Sequence, residues 1–161
     1  MCGITGWLDW KRDLRGEQRQ IEAMTHSLDH RGPDAQTTFV DERVAFGHTR
    51  LAVIDPSRGG QPMTRTYKEK TATIVYNGEL YNTEEIRQSL LSKGVTFTTH
   101  SDTEVLLYAY LVEGEACIER FNGIFAFVIW DGEALFAARD RLGVKPFFYT
   151  PTEHGLFSVQ N

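Results

Sequence analysis

The sequence predicts an α+β fold. Three observations carry this. Strand-like and helix-like segments come in runs and do not alternate strictly. Most of the strand-like segments are short and bounded by Gly, Pro, Asp or Asn. One stretch, Gly123–Trp130 (GIFAFVIW), is apolar on both alternating faces, as a central strand covered on each side would be.

Taken in order, residues 2–8 are apolar with two glycines, Gly3 and Gly6, and read as a buried strand. Over 17–28, Ile21, Met24 and Leu28 recur at helical spacing ahead of the breaker pair Gly32-Pro33. Short strands are expected around 37–40, 44–49, 51–54 and 72–76. Asn82 with Glu85, and Ser101 with Glu104, have the spacing of capping boxes in front of two helices that stop near Gly94 and Gly114. Beyond 123–130, segments 135–138 and 146–149 continue a β-rich tail, with Asp131-Gly132 as a hairpin turn signal.

The 161 residues fit one domain, and 41% hydrophobic with 24% charged residues excludes wholesale disorder. A net charge of -5 argues against nucleic acid or an anionic membrane as partner, because both need clustered Lys and Arg. Cys2 and Cys117 form neither a CxxC pair nor a disulfide framework, which suits a reducing, cytoplasmic compartment. No signal-like apolar core, membrane-length apolar run, repeat or zinc-ligand spacing is present, so no metal is expected.

Several residues could carry chemistry. Were Met1 removed, Cys2 would bear a free α-amino group of pKa about 7.7 to 8.0 beside a thiol of about 8.5, a nucleophile with a built-in base. The plain alternative is a short apolar residue in an edge strand. HRGPD (30–34) offers Arg31 as an anion-binding candidate, or a solvated turn. Arg50, in GHTRLAVID, could fork onto a carboxylate or simply lie at the surface. Asn77-Gly78 in YNGELYN supplies the parts of an oxyanion hole, an amide side chain and an open backbone N–H, but is also the strongest short hairpin signal. Asp102 sits in a first helical turn, where the macrodipole alone would favour it. A papain-like Cys2 with His30, His48 or His100 as base is a further possibility.

Eight stretches in order, MCGITG, HRGPD, GHTRLAVID, GGQPM, YNGELYN, SDTEVLL, NGIFAFVIWD and ARDRLGVKPFFY, cover nearly the whole chain. Together they resemble the glutaminase domain of class II, N-terminal-nucleophile glutamine amidotransferases. The resemblance is strongest to the amino-terminal part of glutamine-dependent asparagine synthetases.

It implies a four-layer α/β/β/α sandwich of the N-terminal-nucleophile hydrolase type. Residues 1–161 would form a single type-2 glutaminase domain that hydrolyses the side-chain amide of L-glutamine to glutamate and ammonia. By family position Cys2 is the nucleophile, its amine the base, and Asn77 and Gly78 the oxyanion hole. Arg50 clamps the substrate carboxylate, Asp102 and Glu79 receive its α-ammonium, and Leu51, Ala52, Val53 and Ile54 line the pocket. The resemblance implies no cofactor in this domain, with ATP and Mg confined to a C-terminal synthetase domain or chain that would receive the ammonia to make asparagine. It also leaves room for a homodimer.

Two features depart from a full synthetase. No SGGxDS-type pyrophosphate loop occurs, so the synthetase domain is expected to be absent from these residues. After GLFS a Ser-Glu-Ile-Lys-like stretch is replaced by SVQN, which suggests a truncated or rewired end and leaves a sheet edge unsettled. Competing assignments are another class II amidotransferase, of the glucosamine-6-phosphate synthase or amidophosphoribosyltransferase type, and a non-catalytic partner-binding relic.

Overall fold

A computed structural model of the protein describes residues 2–51 and 60–160. In chain order the elements are β1 (Gly3–Asp9), α1 (Gln18–His26), β2 (Ala35–Val40), β3 (Val44–Arg50), β4 (Met63–Tyr67), β5 (Lys70–Leu80), α2 (Thr83–Ser92), α3 (Asp102–Glu113), β6 (Gly123–Trp130), β7 (Leu135–Arg139), β8 (Phe148–Pro151) and β9 (Gly155–Gln160). The strands form a five-stranded sheet in the order β2-β3-β1-β9-β8 and a four-stranded sheet in the order β4-β5-β6-β7. Their pairings are antiparallel.

Side-chain alternation explains the stacking. Ile4, Leu8, Val44 and Phe46 of the first sheet meet Val75, Val128 and Trp130 of the second. On the other face of the first sheet, Trp7 and Ala45 pack with Ile21 of α1. A Cβ at Gly47 would overlap the Thr25 hydroxyl, so glycine there lets α1 lie directly on β3. On the outer face of the second sheet, Ile74, Phe127 and Ile129 meet Ile86 and Leu90 of α2 and Leu106 of α3. The result is the four-layer α/β/β/α sandwich expected, with three apolar interfaces. α3 is buried on nearly every side, and its sequence is correspondingly apolar around its circumference.

Several local expectations are corrected. β6 falls on the predicted segment, but the tail strand expected at 146–149 lies at Phe148–Pro151, and β4 and β9 carried too little alternation to be recognised. Leu51 lies beyond the end of β3, and 52–54 fall outside the described residues. Ser158, Val159 and Gln160 form no unsettled edge, because β9 is an internal strand between β1 and β8, and Asn161 lies outside the described residues.

Both capping boxes are incomplete. The Asn82 amide donates to Arg120 O at 2.9 Å and accepts from Asn122 N at 3.1 Å, tying the start of α2 to the turn before β6. Ser101 Oγ does accept from Glu104 N at 3.3 Å. The Glu104 carboxylate instead takes Arg65 Nε at 2.7 Å and Thr99 N at 2.7 Å, while Ser101 N donates to Thr99 Oγ1 at 3.2 Å. Among the described residues, no helix is long and apolar enough to cross a membrane.

Candidate active site

β1 is flanked by β3 and β9, so Cys2 stands at the mouth of a central strand. Both sheets pin this end. Gly3 N donates to Thr49 Oγ1 at 3.0 Å, and Asn77 Nδ2, reaching over from β5, donates to Cys2 O at 2.7 Å. The Cys2 thiol accepts from Leu51 N at 3.4 Å and contacts Leu51 O at 3.7 Å. A segment that a frayed end would leave loose is thereby fixed, with its sulfur beside the end of β3.

Cys2 opens into a cavity of about 320 Å³. That is at the small end of the range for ligand sites, about 300 to 1,000 Å³. The structure brings every described residue of the sequence-predicted site to its wall: Cys2, Arg50, Leu51, Asn77, Gly78, Glu79 and Asp102. Ala52, Val53 and Ile54 lie outside the described residues, as does Met1.

Asn77-Gly78 is not a hairpin turn. Both lie within β5, where Asn77 pairs with Ala126 and Gly78 with Phe125. The local turn preference of Asn-Gly yields to an eight-residue ladder with β6. A Cβ at 78 would overlap the carbonyl oxygen of Ile124, so the close approach of β6 requires glycine. Asn77 is almost fully buried, and its Nδ2 also donates to Gln160 Oε1 of β9 at 2.9 Å.

Arg50 ends β3, and the HRGPD loop braces it. Asp34 N donates to Arg50 O at 3.0 Å, and Pro33 bridges the same residue. Arg31 is not among the cavity-lining residues. The role of that loop is to fix the backbone that carries Arg50.

The same cavity is lined by Asp102, the first residue of α3. Its Oδ2 accepts from Tyr76 Oη at 2.6 Å and from Leu80 N at 3.2 Å. Burial pushes the Asp102 carboxyl above its ordinary pKa, opposed by the Tyr76 hydroxyl and by the Leu80 amide. Tyr76 is itself raised well above the phenol value by burial and then by the Asp102 charge. The cavity thus has a guanidinium on one strand and a carboxylate on a helix start, the polarity that a zwitterion requires.

Sequence reasoning gave no site role to several wall residues. Tyr76 was read only as strand. Gln61 accepts the Tyr76 N–H on Oε1 at 2.6 Å, just before the Met63–Ile74 pairing where β4 begins, and donates to Thr103 Oγ1 at 3.3 Å. Lys145, 7% exposed, reaches the wall from the loop after β7. Asp140 folds that loop, its carboxylate accepting from Phe125 N at 3.2 Å and from Val144 N and Lys145 N at 2.9 Å each. Burial and then Arg31 press the Lys145 pKa down, while Cys2, Asp140 and Glu79 act upward. A lysine in a polar loop reads as solvated; only the Asp140 turn, closed by Gly143 at φ +64°, hinted otherwise.

His48, which the sequence offered only as a papain-like base, is 1% exposed on β3. Burial and then Arg50 bring its pKa down to about 4, against a weaker upward influence of the Tyr76 backbone. Of His30, His48 and His100, His48 alone lines the cavity, and at neutral pH it is a weak proton acceptor.

A thiol at a strand end, an amide side chain beside it and a charge pair across a small cavity, on this sandwich, define a class II, N-terminal-nucleophile glutamine amidotransferase fold. The chain belongs to that family: the family described as the glutamine amidotransferase domain matches residues 1–160. Among its relatives, asparagine synthetase [glutamine-hydrolyzing] 3 of Bacillus subtilis is 55% identical over 152 residues, 93% of this chain and 25% of the relative. Asparagine synthetase [glutamine-hydrolyzing] 1 of the same organism is 43% identical over 93% of this chain and 24% of the relative. That of Sandersonia aurantiaca is 39% identical over 92% and 28%. The chain therefore spans about a quarter of the length of the curated relatives it matches. The solved structure of glutamine phosphoribosylpyrophosphate amidotransferase from B. subtilis, complexed with ADP and GMP, shares the fold at a TM-score of 0.75 and 22% identity, over 99% of this chain and 41% of that one.

Proposed function

We propose that this chain hydrolyses the side-chain amide of L-glutamine, with Cys2 as nucleophile after removal of Met1, and that the ammonia serves an ATP-dependent synthetase partner making asparagine. The observation that carries this is the convergence of Cys2, Asn77, Gly78, Arg50 and Asp102 on one small cavity.

In this reading Arg50 takes the substrate α-carboxylate and Asp102, with Glu79, its α-ammonium, while Leu51 at the rim contacts the aliphatic stem. Bound at both charges, the side chain extends to Cys2. The thiol gives its proton to the α-amine, sulfur adds to the amide carbon, and the oxyanion takes hydrogen bonds from the Asn77 side chain and the Gly78 N–H. The protonated amine then gives its proton to the leaving nitrogen, and ammonia departs. Water adds to the resulting thioester through the same oxyanion site and restores the thiol as glutamate leaves. Because Asn77 Nδ2 is engaged by Cys2 O and Gln160 Oε1 in this structure, one of these bonds is exchanged for the oxyanion.

That the chain matches about a quarter of each of several glutamine-hydrolysing asparagine synthetases favours asparagine as the product of the whole assembly, and two cysteines without a disulfide framework favour the cytoplasm as its place. ATP and Mg would belong to the synthetase partner. Ammonia release from L-glutamine, its loss in Cys2→Ala, and a single adduct on Cys2 with a glutamine-analogue electrophile test the proposal. Intact mass of the adduct must show Met1 gone; an adduct on a chain retaining methionine overturns the amine as base. Single replacements of His30, His48 and His100 should leave hydrolysis detectable.

A further inference from the structure

Beyond the charge pair, the wall of the cavity holds a closed circuit of hydrogen bonds. Tyr76 Oη donates to Asp102 Oδ2 at 2.6 Å; Tyr76 N donates to Gln61 Oε1 at 2.6 Å; Gln61 Nε2 donates to Thr103 Oγ1 at 3.3 Å; and Thr103 follows Asp102 on α3. The circuit ties the first turn of α3 to β5 and to the segment entering β4. Tyr76 and Gln61 are 3% and 8% exposed, so these bonds are shielded from water, where a charge-assisted hydrogen bond has most effect.

We infer that Tyr76 is a positioning residue that holds Asp102 ionised and oriented, so that the site selects ω-amides bearing a free α-ammonium group. The inference rests on the glutaminase reading and adds to it how a buried carboxylate stays charged. Both Tyr76 Oη and Leu80 N end on Oδ2. The ligand ammonium would dock on the side of the carboxylate that lines the cavity. The ionisable groups lining the same cavity are Cys2 of β1, His48 and Arg50 of β3, Tyr76 and Glu79 of β5, and Lys145 of the loop behind β7. Burial opposes the carboxylate form of Asp102, and the Tyr76 hydroxyl with the backbone amides of Leu80, Thr103 and Asp102 itself favours it. The Tyr76 hydroxyl is the nearest group tipping that balance toward the charged form.

The test compares L-glutamine with 4-carbamoylbutanoate, which keeps the amide and the carboxylate but lacks the ammonium. In Tyr76→Phe, which retains the buried ring, KM for glutamine should rise about ten-fold with kcat little changed, as loss of one hydrogen bond to a charged group implies. The acid limb of kcat/KM should move to higher pH, because the carboxylate loses a donor that favours its ionised form. KM for 4-carbamoylbutanoate should not change. Gln61→Leu, which loosens Tyr76 from the other side, should shift glutamine KM in the same direction and serves if Tyr76→Phe does not fold. Equal losses for both amides, or a wild-type glutamine KM and acid limb, overturn the inference. Persistence of turnover in Cys2→Ala would sink the glutaminase reading itself; a dead Cys2→Ala with a wild-type-like Tyr76→Phe would sink this inference alone.

Discussion

The side-chain amide of Asn77 donates to the main-chain carbonyl of Cys2 across 2.7 Å, and so joins the two sheets at the proposed nucleophile. The same amide is the proposed oxyanion donor. Asn77→Ala should therefore lower kcat by about 10² to 10³. It should also lower the unfolding midpoint, because the Cys2 carbonyl and Gln160 Oε1 lose a donor. Steady-state ammonia release and thermal unfolding of the same variant separate the two effects.

Glu104 is a second buried carboxylate, with no exposed side-chain surface. Burial raises its pKa, but Arg65, with the hydroxyls and amides of Thr98 and Thr99, outweighs this and holds it at about 2, against 4.5 when free. A depressed folded pKa gives stability that is complete above pH 4.5 and lost as the pH falls toward 2. Urea midpoints across that window should fall in the wild type and change less in Glu104→Gln. That variant should start about 3 to 5 kcal/mol lower near neutrality, since Arg65 would be left without its charge partner.

His48 gives the opposite histidine case. Its folded pKa of about 4 lies below the free value of 6.5. Below pH 6.5 the unfolded chain takes up a proton that the folded one refuses, so stability should decline as pH falls from 6.5 to 4, by about 3 kcal/mol in all. His48→Leu should flatten that part of the pH–stability curve, as chemical denaturation at pH 7, 6, 5 and 4 would show.

Asp140 is expected to matter through Lys145. Asp140→Ala leaves the amides of Phe125, Val144 and Lys145 without their acceptor, at a cost of about 1 to 3 kcal/mol for each group that water does not reach. The loop at 140–145 should become the first site of limited proteolysis. A wild-type cleavage pattern and midpoint would show that the loop is held by other contacts.

What could be read from the residues divides by range. β6 was legible because an apolar run on both faces admits few other environments, and Cys2, Arg50, Asn77, Gly78 and Asp102 were legible through stretches matched in order. Asn77-Gly78 as a bare dipeptide pointed to a turn, and only the ladder with β6, set by residues about fifty positions away, overrides it. Ser101 and Glu104 had the right spacing for reciprocal capping, but Arg65, on another strand, claims the carboxylate. Tyr76, Gln61 and Lys145 carry no local mark of function, since what brings them to one wall is the stacking of layers.

β1 and β9 are partners although Thr5 and Ser158, bonded across them, stand 153 residues apart in sequence. Contacts of such separation are slow to close and gain nothing until most of the chain is available. During synthesis, the strand that begins at Cys2 would wait with one edge unpaired until residues 155–160 had emerged. Gln160, the bond partner of Asn77, would arrive with them. Cys2, made long before Gln160, would thus gain the hydrogen-bonded surroundings of its proposed site only once β9 has paired.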